Sequence, residues 1–110
     1  MTVETLLGAL NAEALSLPCP ERVPCGVYCS DLLSWVMGHA EPDNVWVTIM
    51  TNKNVLAVAS LIDVSCVVIC ENAEVDEEFL ATAKEKEINV LRSPMDNYHV
   101  CAALSRLLEQ

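Results

Sequence analysis

Glycine is nearly missing from this 110-residue sequence: only Gly8, Gly26 and Gly38 are present. Neither a Walker loop nor a dinucleotide fingerprint can be assembled from them, because both need several glycines within one strand-to-helix turn. Basic residues are also scarce. Six Lys and Arg stand against sixteen Asp and Glu, a net charge of −10. That balance argues against nucleic acid, whose binding is dominated by phosphate neutralisation, and against an anionic membrane surface. No apolar run approaches the roughly 18–20 residues that span a bilayer. Histidine is limited to His39 and His99, and no spacing brings either to a Ser or Cys nucleophile, so no catalytic dyad is expected. A secretory signal is lacking as well: Glu4 comes early and no basic start or long apolar core precedes it. The expectation is a cytoplasmic protein whose six cysteines are reduced.

What is present is hydrophobic: 53% of the residues. With no membrane span to absorb that excess, it points to strands buried on both faces or to an apolar patch that meets a partner. The acidic residues are scattered and read as a solvated surface. Residues 1–110 are expected to form one domain, with no internal repeat and no linker.

The segment Gly26–Met37 sets the pattern. Val27-Tyr28-Cys29 has strand character, Ser30 and Asp31 offer a cap and a negative charge for a helix start, and Leu32, Leu33, Val36 and Met37 follow at helical spacing up to a terminating Gly38. Before it, Thr2–Asn11 predicts a short helix, Ala14–Leu17 a brief strand, and Pro18, Pro20 and Pro24 an irregular loop. After it, Val45–Met50 and Cys66–Glu71 predict central strands, Asn54–Val64 a helix apolar nearly all round, and Asp76 the cap of a further helix. Ile88–Leu91 is a last short strand, and Ser93-Pro94-Met95-Asp96 opens a last helix with Val100, Cys101, Leu104, Leu107 and Leu108 on its inner stripe. Helix and strand alternate as parallel β-α-β units require. The predicted fold is a three-layer α/β/α domain with a mostly parallel sheet of four or five strands.

The stretches Tyr28–Met37, Val45–Val64 and Val67–Asn72 resemble a DRTGG domain, and the order of elements follows that family from about Thr2 to Leu108. The resemblance implies a fold similar to the N-terminal domain of bacterial HPr kinase/phosphorylase. It also implies a regulatory or ligand-sensing module, often dimeric, with no established catalytic function. The Asp-Arg-Thr-Gly-Gly signature itself is absent; Thr51-Asn52-Lys53-Asn54 stands in the loop after the Val45–Met50 strand, and Trp35 occupies a position that is usually polar in the family. Short stand-alone members that lack the signature occur beside iron-only hydrogenase components, which implies an alternative role as a redox accessory protein.

Candidate sites follow. Ser30, Asp31, Thr51, Asn52 and Ser93 all fall just after predicted strands, and a parallel sheet would gather them at one edge. They serve there either as ordinary helix caps or as a small polar ligand site, for which Asp31 disfavours a strongly anionic ligand. Trp35 lies at the border of its helix's apolar stripe and either packs under a loop or anchors a partner. With Val55, Val58, Ala59 and Ile62 on the apolar helix, it is the expected contact for a homodimer or a larger protein. Among the cysteines, Cys66, Cys70 and Cys101 read as small buried hydrophobes, and Cys66 and Cys70 lie about 13 Å apart at strand rise, too far to share an ion. Cys19, Cys25 and Cys29 match no zinc spacing; they are incidental, or they are the thiols of the redox alternative. No cofactor and no resident metal are expected.

Overall fold

The computed structural model describes residues 1–108 and has an α/β fold in three layers. Among the described residues the elements run α1 (Val3–Ala9), β1 (Glu13–Ser16), β2 (Val27–Cys29), α2 (Leu33–His39), β3 (Val45–Thr48), α3 (Asn54–Ile62), β4 (Cys66–Ile69), α4 (Glu77–Glu85), β5 (Val90–Arg92) and α5 (Asn97–Leu108). The strands form one sheet in the order β1-β5-β4-β3-β2. Strands β2 to β5 are parallel, and β1 pairs antiparallel with β5 through a register shift between Ala14 and Ser16. The mostly parallel sheet is therefore as the alternation of elements predicts.

The central strands are apolar because both their faces are covered. Every residue of β3 and β4 is buried. On one face Trp46, Val67, Ile69 and Val90 meet Val36 of α2, Val55, Leu56, Val58 and Ala59 of α3, and Phe79 and Ala83 of α4. On the other, Val45, Val47, Cys66, Val68, Cys70 and Leu91 meet Val3, Leu6 and Leu10 around α1 and Val100 and Leu104 of α5. Each fully buried Leu, Phe or Val contributes about 1.5–3 kcal/mol relative to an exposed one.

The helix ends differ from expectation in three places. Gly38 does not terminate α2, which runs on to His39 and closes at Ala40 with extended backbone. Left-handed residues follow other helices instead: Asn11 (φ 51), Asp63 (φ 67) and Glu87 (φ 56). Ser30 does not cap α2 either. The helix starts two residues later, after Leu32, with no side-chain cap, and the Ser30 hydroxyl accepts from the Leu32 N–H in a local turn. The start of α5 is likewise made by Asp96, whose carboxylate accepts the His99 N–H at 2.8 Å, and not by Ser93. Asp76 does cap α4, accepting the Phe79 N–H at 2.8 Å.

The proline-bearing loop between β1 and β2 lies along the amino edge of the sheet. Buried Asn89 accepts from the Cys19 N–H and donates to the Cys19 and Ser65 carbonyls. The Arg22 guanidinium bridges Asp43 at 2.6 Å and Asp63 at 2.9 Å. Both contacts fix a loop that would otherwise have no ladder to join.

Candidate functional site

Strand β2 is an open edge of the sheet, with exposed Leu32, Trp35 and Met37 on one flank and a cleft against α5 on the other. In a parallel ladder alternate residues bond to the neighbour. Val45 donates to the Gly26 carbonyl and Ser30 donates to the Val47 carbonyl. This register turns the Tyr28 backbone toward β3 and the Val27 and Cys29 backbone groups away from the sheet, as an unused pairing edge.

On one flank of this edge lies an aromatic row. Trp35 is 54% exposed and stacks on His39 at 4.5 Å, with ring planes 13° apart. His39 in turn lies parallel to Tyr28 at 6.4 Å. The His39 Nδ1 is 2.9 Å from the Trp35 carbonyl oxygen, which can only accept, so Nδ1 carries the hydrogen. Met37 on the same short helix and Leu32 just before it are each 53% exposed. Only Val36 of α2 is buried. The expected inner stripe of Leu32, Leu33, Val36 and Met37 is thus reduced to Val36 and half-buried Leu33, because α2 sits over the sheet's margin.

On the other flank, between β2 and α5, is a cleft of about 330 Å³ lined by Gly26, Val27, Cys29, Cys101, Ser105 and Leu108. Cys29 is exposed, Cys101 is half-buried and Cys70 is buried beneath them. Cys101 lies one helical turn beyond Asn97, whose side-chain amide is 3.7 Å from the Cys29 sulfur. Burial, then the charges of Cys29, Cys101, Asp31 and Glu71, push the Cys70 thiol up to about 12. Burial and Cys29 do the same to Cys101.

The residues expected to form a ligand site do line the carboxyl edge of the parallel strands, but most of their polar atoms are already used. Asp31 accepts the Thr48 hydroxyl at 2.6 Å and the Ile49 N–H at 2.9 Å. Asn52 accepts the Asn54 N–H at the start of α3. Ser93 is fully buried; its hydroxyl donates to the Leu10 carbonyl at 2.7 Å and accepts the Met95 N–H, so it cannot meet a ligand. Thr51 and Asn52 do line a second cleft of about 250 Å³, with Lys53, Asp76, Glu78 and Phe79. An exposed ion pair, Lys53 Nζ to Glu78 Oε1 at 2.9 Å, crosses it.

The expected partner contact also changes. Val55, Val58 and Ala59 are buried in the chain's own core, since α3 is packed between α2, α4 and the sheet. They offer nothing to a second molecule; Ala57 and Leu61, the latter 73% exposed, and half-buried Ile62 are the apolar residues that α3 leaves open. Cys19, Cys25 and Cys29 are not brought together. Cys19 is tied to Asn89 and Cys25 to Asp43 and Asn44 at the amino edge, whereas Cys29 ends β2 at the carboxyl edge. Among the described residues no group of three or more His, Cys, Asp or Glu could hold a metal ion. Sequence reasoning missed the pairing of Cys29 with Cys101. Its one available signal was that Cys101 lies on the inner stripe of the helix packed on β2.

A family model, the DRTGG domain, matches residues 6–107 of the chain. Among solved structures, the CBS and DRTGG domains of the regulatory region of Clostridium perfringens pyrophosphatase, complexed with the activator diadenosine tetraphosphate, are similar at 16% identity with a TM-score of 0.75. The match covers 94% of this chain and 45% of that one. No curated protein sequence matches.

Proposed function

The chain belongs to the DRTGG domain family, and from that premise we propose that residues 1–110 act as a non-catalytic regulatory module that pairs with a second copy of itself through the β2 edge. The observation that carries this reading is Trp35, more than half exposed and stacked on His39, which lies parallel to Tyr28 on the open edge strand β2. Trp and Tyr are preferred anchors at protein interfaces, and a stacked indole loses little side-chain entropy on binding. A second copy suits this surface because an isologous contact needs a self-complementary patch. The outward Val27 and Cys29 backbone groups offer one N–H and one C=O each, which can pair with the same groups of another β2. The centre of the patch, Tyr28, Leu32, Trp35 and Met37, carries no charge, so the repulsion between two molecules of charge −10 acts only at its rim.

Light scattering tests it. The wild-type chain is expected to be dimeric at high micromolar concentration, and Trp35→Ala monomeric with an unchanged unfolding midpoint. A wild-type monomer at that concentration would sink the reading.

A second reading, sensing of a small polar ligand, is favoured by the cleft that Thr51 and Asn52 line. The similar pyrophosphatase region is complexed with the activator diadenosine tetraphosphate. Here Asp76 and Glu78 flank the cleft, which supports a neutral or zwitterionic ligand over a polyphosphate. Thermal-shift screening of uncharged and zwitterionic metabolites against Thr51→Val and wild type checks it; hits that respond equally in both would remove Thr51 from the site.

A further inference from the structure

Two thiols, Cys29 and Cys101, line the β2–α5 cleft. Cys29 ends the edge strand and is exposed. Cys101 lies one turn beyond Asn97 on the same face of α5. The Asn97 side-chain amide approaches the Cys29 sulfur at 3.7 Å, and Cys101 lines the same cleft as Cys29. The Cys29 sulfur therefore sits beside a donor amide and shares with Cys101 a cleft of about 330 Å³ that admits a small oxidant. Cys19 and Cys25 are fixed through their backbones at the opposite edge, and Cys66 and Cys70 are fully buried.

We propose that Cys29 and Cys101 form a reversible disulfide site, oxidised by hydroperoxides and reduced by dithiols, that staples the edge strand β2 to α5. The Cys29 sulfur attacks the outer peroxide oxygen. The O–O bond breaks, the departing alkoxide takes the thiol proton, and Cys29 becomes a sulfenic acid. The Cys101 sulfur then attacks the Cys29 sulfur; the S–O bond breaks and hydroxide leaves as water with the Cys101 proton. One hydroperoxide and two thiols yield one disulfide, one alcohol and one water. Rotation of the two side chains must bring the sulfurs to the S–S length of about 2.05 Å. Cys101 keeps its proton until this second step, because burial and the neighbouring Cys29 hold its thiol up at about 12. That assigns first attack to the exposed partner.

The test is oxidation of the intact chain with stoichiometric hydrogen peroxide, followed by non-reducing peptide mapping. Wild type is expected to yield a 29–101 cross-link before any oxidation at Cys19 or Cys25. Cys101→Ser should give no cross-link and instead a Cys29 sulfenic acid captured by a 1,3-diketone probe. Cys29→Ser should leave Cys101 reduced. First oxidation at Cys19 or Cys25, a Cys29–Cys29 link between molecules, or trapping of sulfenic acid in wild type as abundant as in Cys101→Ser would each overturn the proposal. Circular dichroism of the reduced variants confirms that they are folded when challenged.

Discussion

Asp31 and Thr48 are joined by a 2.6 Å hydrogen bond in which the buried Thr48 hydroxyl donates to the carboxylate. The same carboxylate oxygen takes the Ile49 N–H. Asp31 thus ties the loop leaving β2 to the end of β3, and Trp46 reinforces the tie by donating its Nε1–H to the Ser30 carbonyl at 3.0 Å. Asp31→Ala leaves the Thr48 hydroxyl without this acceptor and is expected to cost about 1–3 kcal/mol. Asp31→Asn keeps an acceptor oxygen and should cost less. Urea unfolding of the two variants checks the order; equal stabilities would show that the carboxylate does not hold the loop.

Gly26 has φ +80, and a Cβ there would stand 2.9 Å from the Asn44 side-chain nitrogen. That nitrogen donates to the Cys25 carbonyl at 2.8 Å. Gly26→Ala therefore meets backbone strain and displaces a loop-fixing hydrogen bond together. A loss of roughly 1–3 kcal/mol is expected from the strained conformation. Gly38→Ala is the contrast: Gly38 lies inside α2 with open space at its Cβ. It should gain about 0.5–1 kcal/mol from helix propensity. Thermal unfolding of the pair distinguishes a required glycine from a tolerated one.

The cap of α4 offers a calibrated loss. Asp76→Ala removes the acceptor of the Phe79 N–H and one of three acidic groups near the helix's positive end. A destabilisation of about 1 kcal/mol is expected, measurable by denaturant titration.

Asp96 supplies a pH prediction. Hydrogen bonds from the His99 backbone N–H and then from its ring hold the Asp96 carboxyl below the ordinary aspartate range. A folded-state value below the unfolded one contributes stability at pH above the unfolded value, and that contribution is lost as pH falls through the folded one. The start of α5 should therefore stay ordered down to pH 4 and fray below about 3.9. An NMR titration of the His99 amide follows it; Asp96→Asn should abolish the step. A His99 amide that shifts only near neutral pH would contradict the assignment.

How much of this was legible in the sequence depended on whether local chemistry or tertiary placement decided the outcome. The strands Val45–Thr48 and Cys66–Ile69 were evident because burial on both faces demands uninterrupted apolar residues. Asp76 was evident because an Asp before two Glu residues suits a helix start in any context. Val55, Val58 and Ala59 were misplaced because an all-round apolar helix looks the same whether neighbouring helices or another molecule cover it; here α2 and α4 do. Ser93 looked like a cap because Ser-Pro fits a helix start, yet contact with the Leu10 carbonyl, 83 residues away in sequence, draws its hydroxyl into the core. The Cys29–Cys101 pair was hidden for the same reason. Spacing along the chain says nothing about which helix lies on which edge strand.

The antiparallel strand β1 has a consequence for how the molecule is made. It is among the first elements in the sequence, but its partner β5 is the last strand, and the Glu13–Arg92 ion pair that flanks their ladder closes a separation of 79 residues. Each parallel strand can add to a sheet already begun, whereas β1 has nothing to pair with until residue 92 has been synthesised. Its edge is then completed after the four parallel strands exist, at a large loop-closure cost. The first 25 residues therefore cannot complete their native contacts before β5 has emerged.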